Sequence, residues 1–436
     1  MVSLMLNKRF FSFLFICVIL VGCSKENKSD TPPDDNGGNG GGDPALVNYN
    51  FTINCNIEIN PEVTLRVYIS DKDGNILAEG PINSNEQTQL SAMAPPNVLL
   101  DATFYYEVDI VSGGGITYSM VMFEDFPTGT YNYEYTDSQY PDTHKVLLSL
   151  KNIGPPPVSR HSHGDSHLFG GWISDNGGTM NFESESTFID GFGGYYMSLI
   201  RQDETDEYYY WSETPPLTNP EELDFNSLPL LDNYITLTTP NEFESLNSLK
   251  IQGYHANNVS KRGNYIAVRE IFDGLPPLTY GVPPGIFNRY RIEARYVSGN
   301  RWYRLVRQSN SIITSLPESD MKMDVSSHNL NSYNAQTQGD FDFFNASWSF
   351  VNGTSGLNYY VRVYGPKKEN ITFSKYNLIN NISNGSFNLS DLEYESSWIA
   401  DYDYINSYSN YLNETFSQSF SIPVIDNHYS FTLGNE

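Results

Sequence analysis

Apolar and polar side chains alternate along several short stretches of the chain. Between Phe51 and Ile59, every second residue is apolar or cysteine, and the residues between them are Thr, Asn or Glu. A period of two predicts a strand with one buried face, so we expect Cys55 to be a core residue. The same alternation predicts further strands at 65–69, 104–110, 146–150, 290–296 and 344–350.

Turn residues separate these stretches. Asp73-Gly74 predicts a tight hairpin, and Tyr (32) and Phe (25) are abundant, which is typical of strands. We therefore predict an all-β fold of tandem β-sandwich domains, immunoglobulin-like or prealbumin-like in type. Short helical turns are expected at 221–224 and 243–246, and the stretch 398–408 fits a helical period as well as a strand.

The N-terminal apolar run is too short to span a bilayer. It covers residues 10–20, follows Lys8 and Arg9, and ends in Leu20-Val21-Gly22-Cys23. A spanning helix needs roughly 20 apolar residues, so the run predicts a signal peptide. Its end resembles the lipobox of bacterial lipoproteins. The resemblance implies cleavage before Cys23, a diacylglycerol on its thiol, an acyl chain such as palmitate on its amine, and an outer-membrane location, with the cell surface as the expected face.

Composition divides the rest of the chain into segments. Gly, Asn and Asp dominate after Cys23, and such a sequence cannot bury enough apolar surface to fold. Gly-Pro-Pro-Pro at 154–157 predicts a stiff linker. The expected segments are a signal peptide at 1–22, the lipidated Cys and a disordered tether at 23–46, a β-sandwich at 47–152, a Pro/His-rich linker at 153–167, a β-rich middle domain at 168–312 and a last β-sandwich at 313–436.

Two segments resemble known domain families. Val67 to Gly74 together with Pro127-Thr128-Gly129-Thr130-Tyr131 is similar to prealbumin-like and carboxypeptidase-regulatory-like sandwiches. In the last segment, the order of Trp348, the strand 360–363 and Leu392 resembles a fibronectin type III domain. Both resemblances imply spacer or interaction modules.

The chain is strongly acidic. It has 52 Asp and Glu against 25 Lys and Arg; removal of Lys8 and Arg9 with the signal leaves 23 − 52 = −29. A field of this sign opposes nucleic-acid binding, so we expect no nucleic-acid partner. Of the 3 cysteines, Cys17 is expected to leave with the signal peptide and Cys23 to carry lipid, so Cys55 has no partner for an internal disulfide.

Six arginines fall within the 19 positions from 289 to 307. The apolar alternation there predicts a hairpin that turns at 298–300. Guanidinium groups present a planar fork suited to carboxylates. One interpretation is that they pair with the protein's own excess of acids; the other is a patch for an acidic sugar or a partner's carboxylates. The candidate ligand-binding residues are Arg289, Arg291, Arg295, Arg304 and Arg307.

Three of the 7 histidines lie close together in the predicted linker. His161, His163, Asp165 and His167 could supply three or four ligands to zinc or copper. The alternative is a polar loop with histidines at chance positions, and no resident cofactor is expected.

No paired carboxylates or nucleophile motif of useful specificity stands out, so the sequence predicts a protein that is not an enzyme. The leading hypothesis is a cell-envelope lipoprotein that displays β-sandwich domains for adhesion, for binding a glycan or an envelope protein, or as an accessory subunit. The alternatives are a purely structural spacer or assembly factor, and a polymer hydrolase.

Overall fold

The computed structural model describes residues 45–110, 115–133, 143–152, 158–163, 173–175, 179–187, 195–201, 206–214, 218–254, 266–273, 275–299, 301–352, 356–383, 389–402, 407–416 and 429–433. Most of these residues lie in β-strands, which confirms the all-β fold class. Within these ranges, no helix combines the length and the hydropathy that crossing a bilayer requires.

The first region alternates as predicted between 51 and 55. Its strands are β1 (Val47–Cys55), β2 (Val63–Ser70), β3 (Ile76–Pro81), β4 (Gln87–Ala94), β5 (Leu100–Ile110), β6 (Gly115–Phe126) and β7 (Gly129–Tyr133).

The middle region contains mostly short strands. They are β8 (Thr143–Lys151), β9 (Val158–His163), β10 (Ile173–Asp175), β11 (Thr179–Thr187), β12 (Tyr195–Arg201), β13 (Glu207–Ser212), β14 (Glu221–Asp224), β15 (Tyr234–Leu237), β16 (Phe243–Tyr254), β17 (Ile266–Phe272), β18 (Leu278–Gly281), β19 (Arg289–Ser298) and β20 (Arg301–Ser309); a 3-10 turn, Phe225–Ser227, follows β14.

The last region adds two short α-helices to its strands. Its elements are β21 (Lys322–Ser327), β22 (Tyr333–Gln338), β23 (Phe343–Asn352), β24 (Leu357–Pro366), β25 (Asn370–Phe373), α1 (Tyr376–Ser383), a 3-10 turn (Leu389–Asp391), β26 (Glu393–Tyr402), α2 (Tyr408–Thr415) and β27 (Tyr429–Leu433).

One 12-stranded sheet runs through all three regions, in the order β17-β16-β19-β20-β27-β26-β23-β24-β6-β5-β2-β3. Its neighbours pair antiparallel except at the seam, where β24 and β6 pair in parallel from Asn358↔Thr117 to Tyr364↔Phe123. The first and last regions therefore share one continuous sheet.

Side chains on this sheet alternate between two faces. On the front face, Val67, Phe104, Phe343 and Ala400 belong to one core with the small sheet β4-β1-β7 and α2. Cys55 is 1% exposed in this core, as its apolar position predicts.

The back face carries two further cores. Phe344, Ala346 and Trp348 pack beneath the small sheet β21-β22-β25 and α1. Towards the β17 end of the 12-stranded sheet, residues of β16, β19 and β20 pack against the strand pair β15-β18. Both faces are therefore layered as in a sandwich, which agrees with the predicted architecture.

Some strand-level expectations were wrong. β8, expected to close the first sandwich, pairs instead with β11 and, in parallel, with β14. Residues 221–224 form that strand β14 rather than a helical turn, and 243–246 begin β16. For the stretch 398–408, which the sequence left open between helix and strand, residues 398–402 are strand and Tyr408 begins α2. In each case, long-range pairing decides the conformation of a segment whose local pattern is ambiguous.

Candidate binding surface on the β19–β20 hairpin

The predicted hairpin at 289–307 is present as β19 and β20, with Arg295 directly opposite Arg304. Gly299 turns the chain at a φ of 54°, a left-handed conformation that glycine adopts readily. Tyr290, Ile292, Ala294 and Tyr296 fill the back-face core. This burial leaves the alternate residues of β19, among them several arginines, on the front face.

Glu293 lies at the centre of these arginines. Arg304 donates from Nη2 and Nε to Glu293 Oε1 at 2.8 and 3.0 Å, and Arg295 Nη2 donates to the same oxygen at 3.3 Å. Arg291 Nη1 lies 3.7 Å from Oε2 of the same carboxylate. We call Arg291, Glu293, Arg295 and Arg304 the arginine cluster.

The four side chains of the cluster carry three positive charges and one negative charge, a sum of +2, in a chain whose net charge is −27. Burial alone would raise the pKa of Glu293, but the positive charges of Arg304, Arg291 and Arg295 outweigh it and hold that pKa below its ordinary value. Glu293 is therefore ionised at neutral pH and fixes the arginines in place.

The cluster is open on its outer side. The side chains of Arg295 and Arg304 are 47% and 42% exposed, whereas those of Glu293 and Arg291 are 16% and 15% exposed. Arg291 Nη1 is oriented by a 2.7 Å hydrogen bond to Oε1 of Gln252, which is buried. Arg291 and Glu293 thus form the buried inner side of the cluster, and Arg295 and Arg304 form its accessible outer side.

An exposed tryptophan adjoins the arginines. Trp302 pairs with Val297, two residues along the strand from the Arg295–Arg304 pair, so it shares their face of the sheet. It is 44% exposed. An aromatic ring with a polar edge beside guanidinium groups offers both a stacking surface and carboxylate-binding donors. Sequence reasoning missed Trp302, although the period of two places it on the face of Arg304.

The structure gathers only part of the predicted arginine set. Arg307 pairs with Ile292 and therefore lies on the back face, because residues three apart on a strand point to opposite sides. Arg289 lies on the front face but donates from Nε to Asn310 Oδ1 at 3.0 Å. Arg307 is therefore separated from the arginine cluster, its role in ligand binding stays a prediction, and sequence reasoning did not identify Glu293 as the centre of the cluster.

The histidine cluster falls only partly within the described chain. His161 and His163 lie on β9, opposite Ser198 and Tyr196 of β12, while Asp165 and His167 lie outside the described residues. The described ranges contain no group of three or more His, Cys, Asp and Glu that could hold a metal. The metal site stays a prediction, to be tested by calorimetric zinc titration with His163→Ala as the control. Cys23 also lies outside the described residues.

A second charged cluster lies at the seam. Lys375 Nζ is 2.8 Å from Asp101 Oδ2 and 2.9 Å from Glu124 Oε1. Lys368 Nζ lies 3.0 Å from Glu124 Oε2 and 3.3 Å from Asp125 Oδ2. Lys72 completes this seam network through Asp101 and Asp125.

The seam network balances three lysines against three carboxylates. Lys375, Asp101 and Glu124 are 3%, 1% and 3% exposed, so these charges are stable only because each has partners. Because each of these charges already has partners within the network, the seam network is better suited to joining the first and last regions than to binding a ligand.

Comparisons with known proteins name no family for this chain. No protein-family model matches it, and no curated protein matches it at a significant level.

Proposed function

We propose that the protein is a lipid-anchored binding protein of the cell envelope and that the arginine cluster captures a carboxylate-bearing ligand, most simply an acidic glycan. One observation carries this proposal: three arginines converge on the largely buried Glu293, and the two that are most open share a face of the hairpin with the exposed Trp302.

The chemistry of the cluster fits a carboxylate. Each guanidinium has five N–H donors, so the single hydrogen bond from the half-exposed Arg295 to Glu293 leaves donors on its outer edge for a second anion. Glu293 holds both arginines in place, which lowers the ordering cost of binding. A sugar ring stacked on Trp302 would place its carboxylate beside these arginines.

The lipobox resemblance supports an outer-membrane location for the protein. Three acyl chains, as the resemblance implies, would hold Cys23 in the outer membrane, because each buried CH₂ contributes about 0.8 kcal/mol. The tether would then present the folded regions at the cell surface. The proposal assigns no catalytic step. Failure of radiolabelled palmitate to attach, or attachment that survives Cys23→Ser, would remove the anchor from it.

A glycan array on residues 45–436 tests the binding claim. We expect signals from uronate-containing oligosaccharides that disappear in the double variant Arg295→Gln, Arg304→Gln. Arg307→Gln is the matched control, because Arg307 lies on the same hairpin but on the opposite face. Equal loss in the control, or no signal on any acidic glycan, would favour the structural spacer instead.

A further inference from the structure

Four exposed apolar side chains gather at one corner of the first region. Leu46, Val47, Met93 and Leu99 are 54%, 40%, 51% and 57% exposed. Val47 pairs with Ala94, and Asn48 with Met93, so the start of β1 and the end of β4 lie side by side. Val47 and Met93 point to opposite faces of this strand pair, so the exposed apolar side chains surround its end rather than share one face.

The loop that carries Leu99 folds back onto the same corner. Tyr49 Oη donates to the carbonyl of Pro95 at 2.8 Å and accepts from the N–H of Val98 at 3.1 Å. These two bonds fix the loop between β4 and β5 beside the start of β1. We call Leu46, Val47, Met93 and Leu99 the apolar corner.

The two chain segments that carry the apolar corner contain no charged residue. The segments 45–57 and 87–100 contain no Asp, Glu, Lys or Arg, whereas 18% charged residues would place about 5 in these 27 positions. The front of the small sheet is instead lined by amides and hydroxyls; for example, Ser91 Oγ donates to Asn50 Oδ1 at 3.1 Å. In an acidic protein, this part can approach an anionic or neutral surface with the least repulsion.

The position of the apolar corner in the chain identifies its occupant. Residues 23–44, 22 in number, join the predicted lipid-bearing Cys23 to Ala45. A flexible coil of that length has a root-mean-square reach of about 25 Å, so this end of the folded protein is the part held nearest the bilayer.

We infer that the end of the β1–β4 strand pair docks end-on on the lipid surface, so that the side chains of the apolar corner on both faces enter the headgroup boundary. The tether converts a weak contact into an intramolecular one with a high effective concentration, so a small apolar area suffices. The inference rests on the proposed lipid anchor for its geometry.

The test replaces the natural anchor by an artificial one. The chain from Ser24 onward, with hexahistidine in place of the lipidated Cys23, is attached to phosphatidylcholine vesicles that contain nickel-chelating lipid. Pro96→Cys, at an exposed position of the loop, carries an environment-sensitive fluorophore, while the native Cys55 is buried. We expect a blue shift of the emission on attachment, reversed by imidazole.

Matched variants identify the contact. Met93→Glu with Leu99→Glu should abolish the shift, whereas Leu275→Glu with Val351→Glu, two apolar positions elsewhere that are 69% and 61% exposed, should preserve it. Equal melting temperatures would show that both variants fold. No shift in the parent protein, equal loss in both pairs, or a shift that grows with protein concentration without vesicles would overturn the inference, the last in favour of a second copy of the chain. Because attachment does not use Cys23, failure of lipidation in cells is a separate result.

Discussion

Lys375 and Asp101, 274 residues apart in the sequence, form a buried ion pair with 2.8 Å between Nζ and Oδ2. Lys375 precedes α1 in the last region, and Asp101 lies on β5 in the first. Together with the parallel pairing of β6 and β24, this pair joins the first and last regions, and we expect the two regions to unfold as one unit.

Lys375→Met should therefore destabilise both regions together. Removing one partner of a buried ion pair costs up to about 3–5 kcal/mol, and here Asp101 and Glu124 lose the more buried of their lysine partners while keeping Lys72 and Lys368. We expect a single denaturant transition at a lower midpoint. Lys367→Met is the control: Lys367 pairs with Asp340 at the surface, where such a pair contributes about 0–1 kcal/mol. Two separate transitions in the parent protein would contradict the shared unit.

The seam network should also make stability fall in acid. Burial alone would raise the pKa of Glu124, but Lys375, Lys368 and Lys72 hold it below its ordinary value. Ionised Glu124 therefore stabilises the folded state at pH values above its unfolded pKa of about 4.3. This stabilisation is lost as the pH falls through the lower pKa of Glu124 in the folded state. Urea midpoints from pH 7 to pH 3 should fall steeply in the parent and less steeply in Glu124→Gln. Parallel curves would contradict this assignment.

Asp342 should make the free energy of unfolding depend on pH in the opposite direction. Burial raises its pKa to about 6, and Asp401 and Asp340 add to that rise against the hydrogen bond from the backbone N–H of Tyr402. The folded state therefore binds more protons than the unfolded state between about pH 4 and pH 6, and stability falls as the pH rises through that window.

Asp342→Asn should stabilise the protein at pH 8 and lose that gain near pH 4.5. The amide keeps an acceptor for Tyr402 but carries no charge, and for a half-buried group the gain is about 1 kcal/mol. Thermal unfolding at the two pH values measures it. A gain of the same size at both would show that charge is not the cause.

The sequence predicts what depends on local alternation. The period of two around Phe51 and Ile53 predicted β1, and the same period predicted that Tyr290 and Ile292 would be buried while Arg291 and Arg295 share the other face. Pairing between distant strands leaves no such local signal. Nothing near Leu148 indicates that it pairs with Phe182 and Glu221 rather than with the first sandwich. The role of Glu293 depends on the register that brings Arg304 opposite Arg295, which periodicity alone does not fix.

Substitution of Glu293 tests the proposed binding surface most directly. Glu293→Gln removes the only negative charge within the arginine cluster and raises its sum from +2 to +3, while the amide oxygen can still accept from Arg304. The amide keeps the acceptor that Arg295 and Arg304 share, and the cluster attracts an anion more strongly because its counter-charge is gone.

The deciding measurement is isothermal titration calorimetry of an oligouronate, and of its carboxyl-reduced neutral counterpart, into the parent chain, Glu293→Gln and the Arg295→Gln, Arg304→Gln variant. We predict that Glu293→Gln binds the oligouronate several-fold more tightly than the parent, that the double variant gives no heat, and that none of the three binds the neutral sugar. Equal affinity in the parent and the double variant, or equal binding of the neutral sugar, would contradict the account.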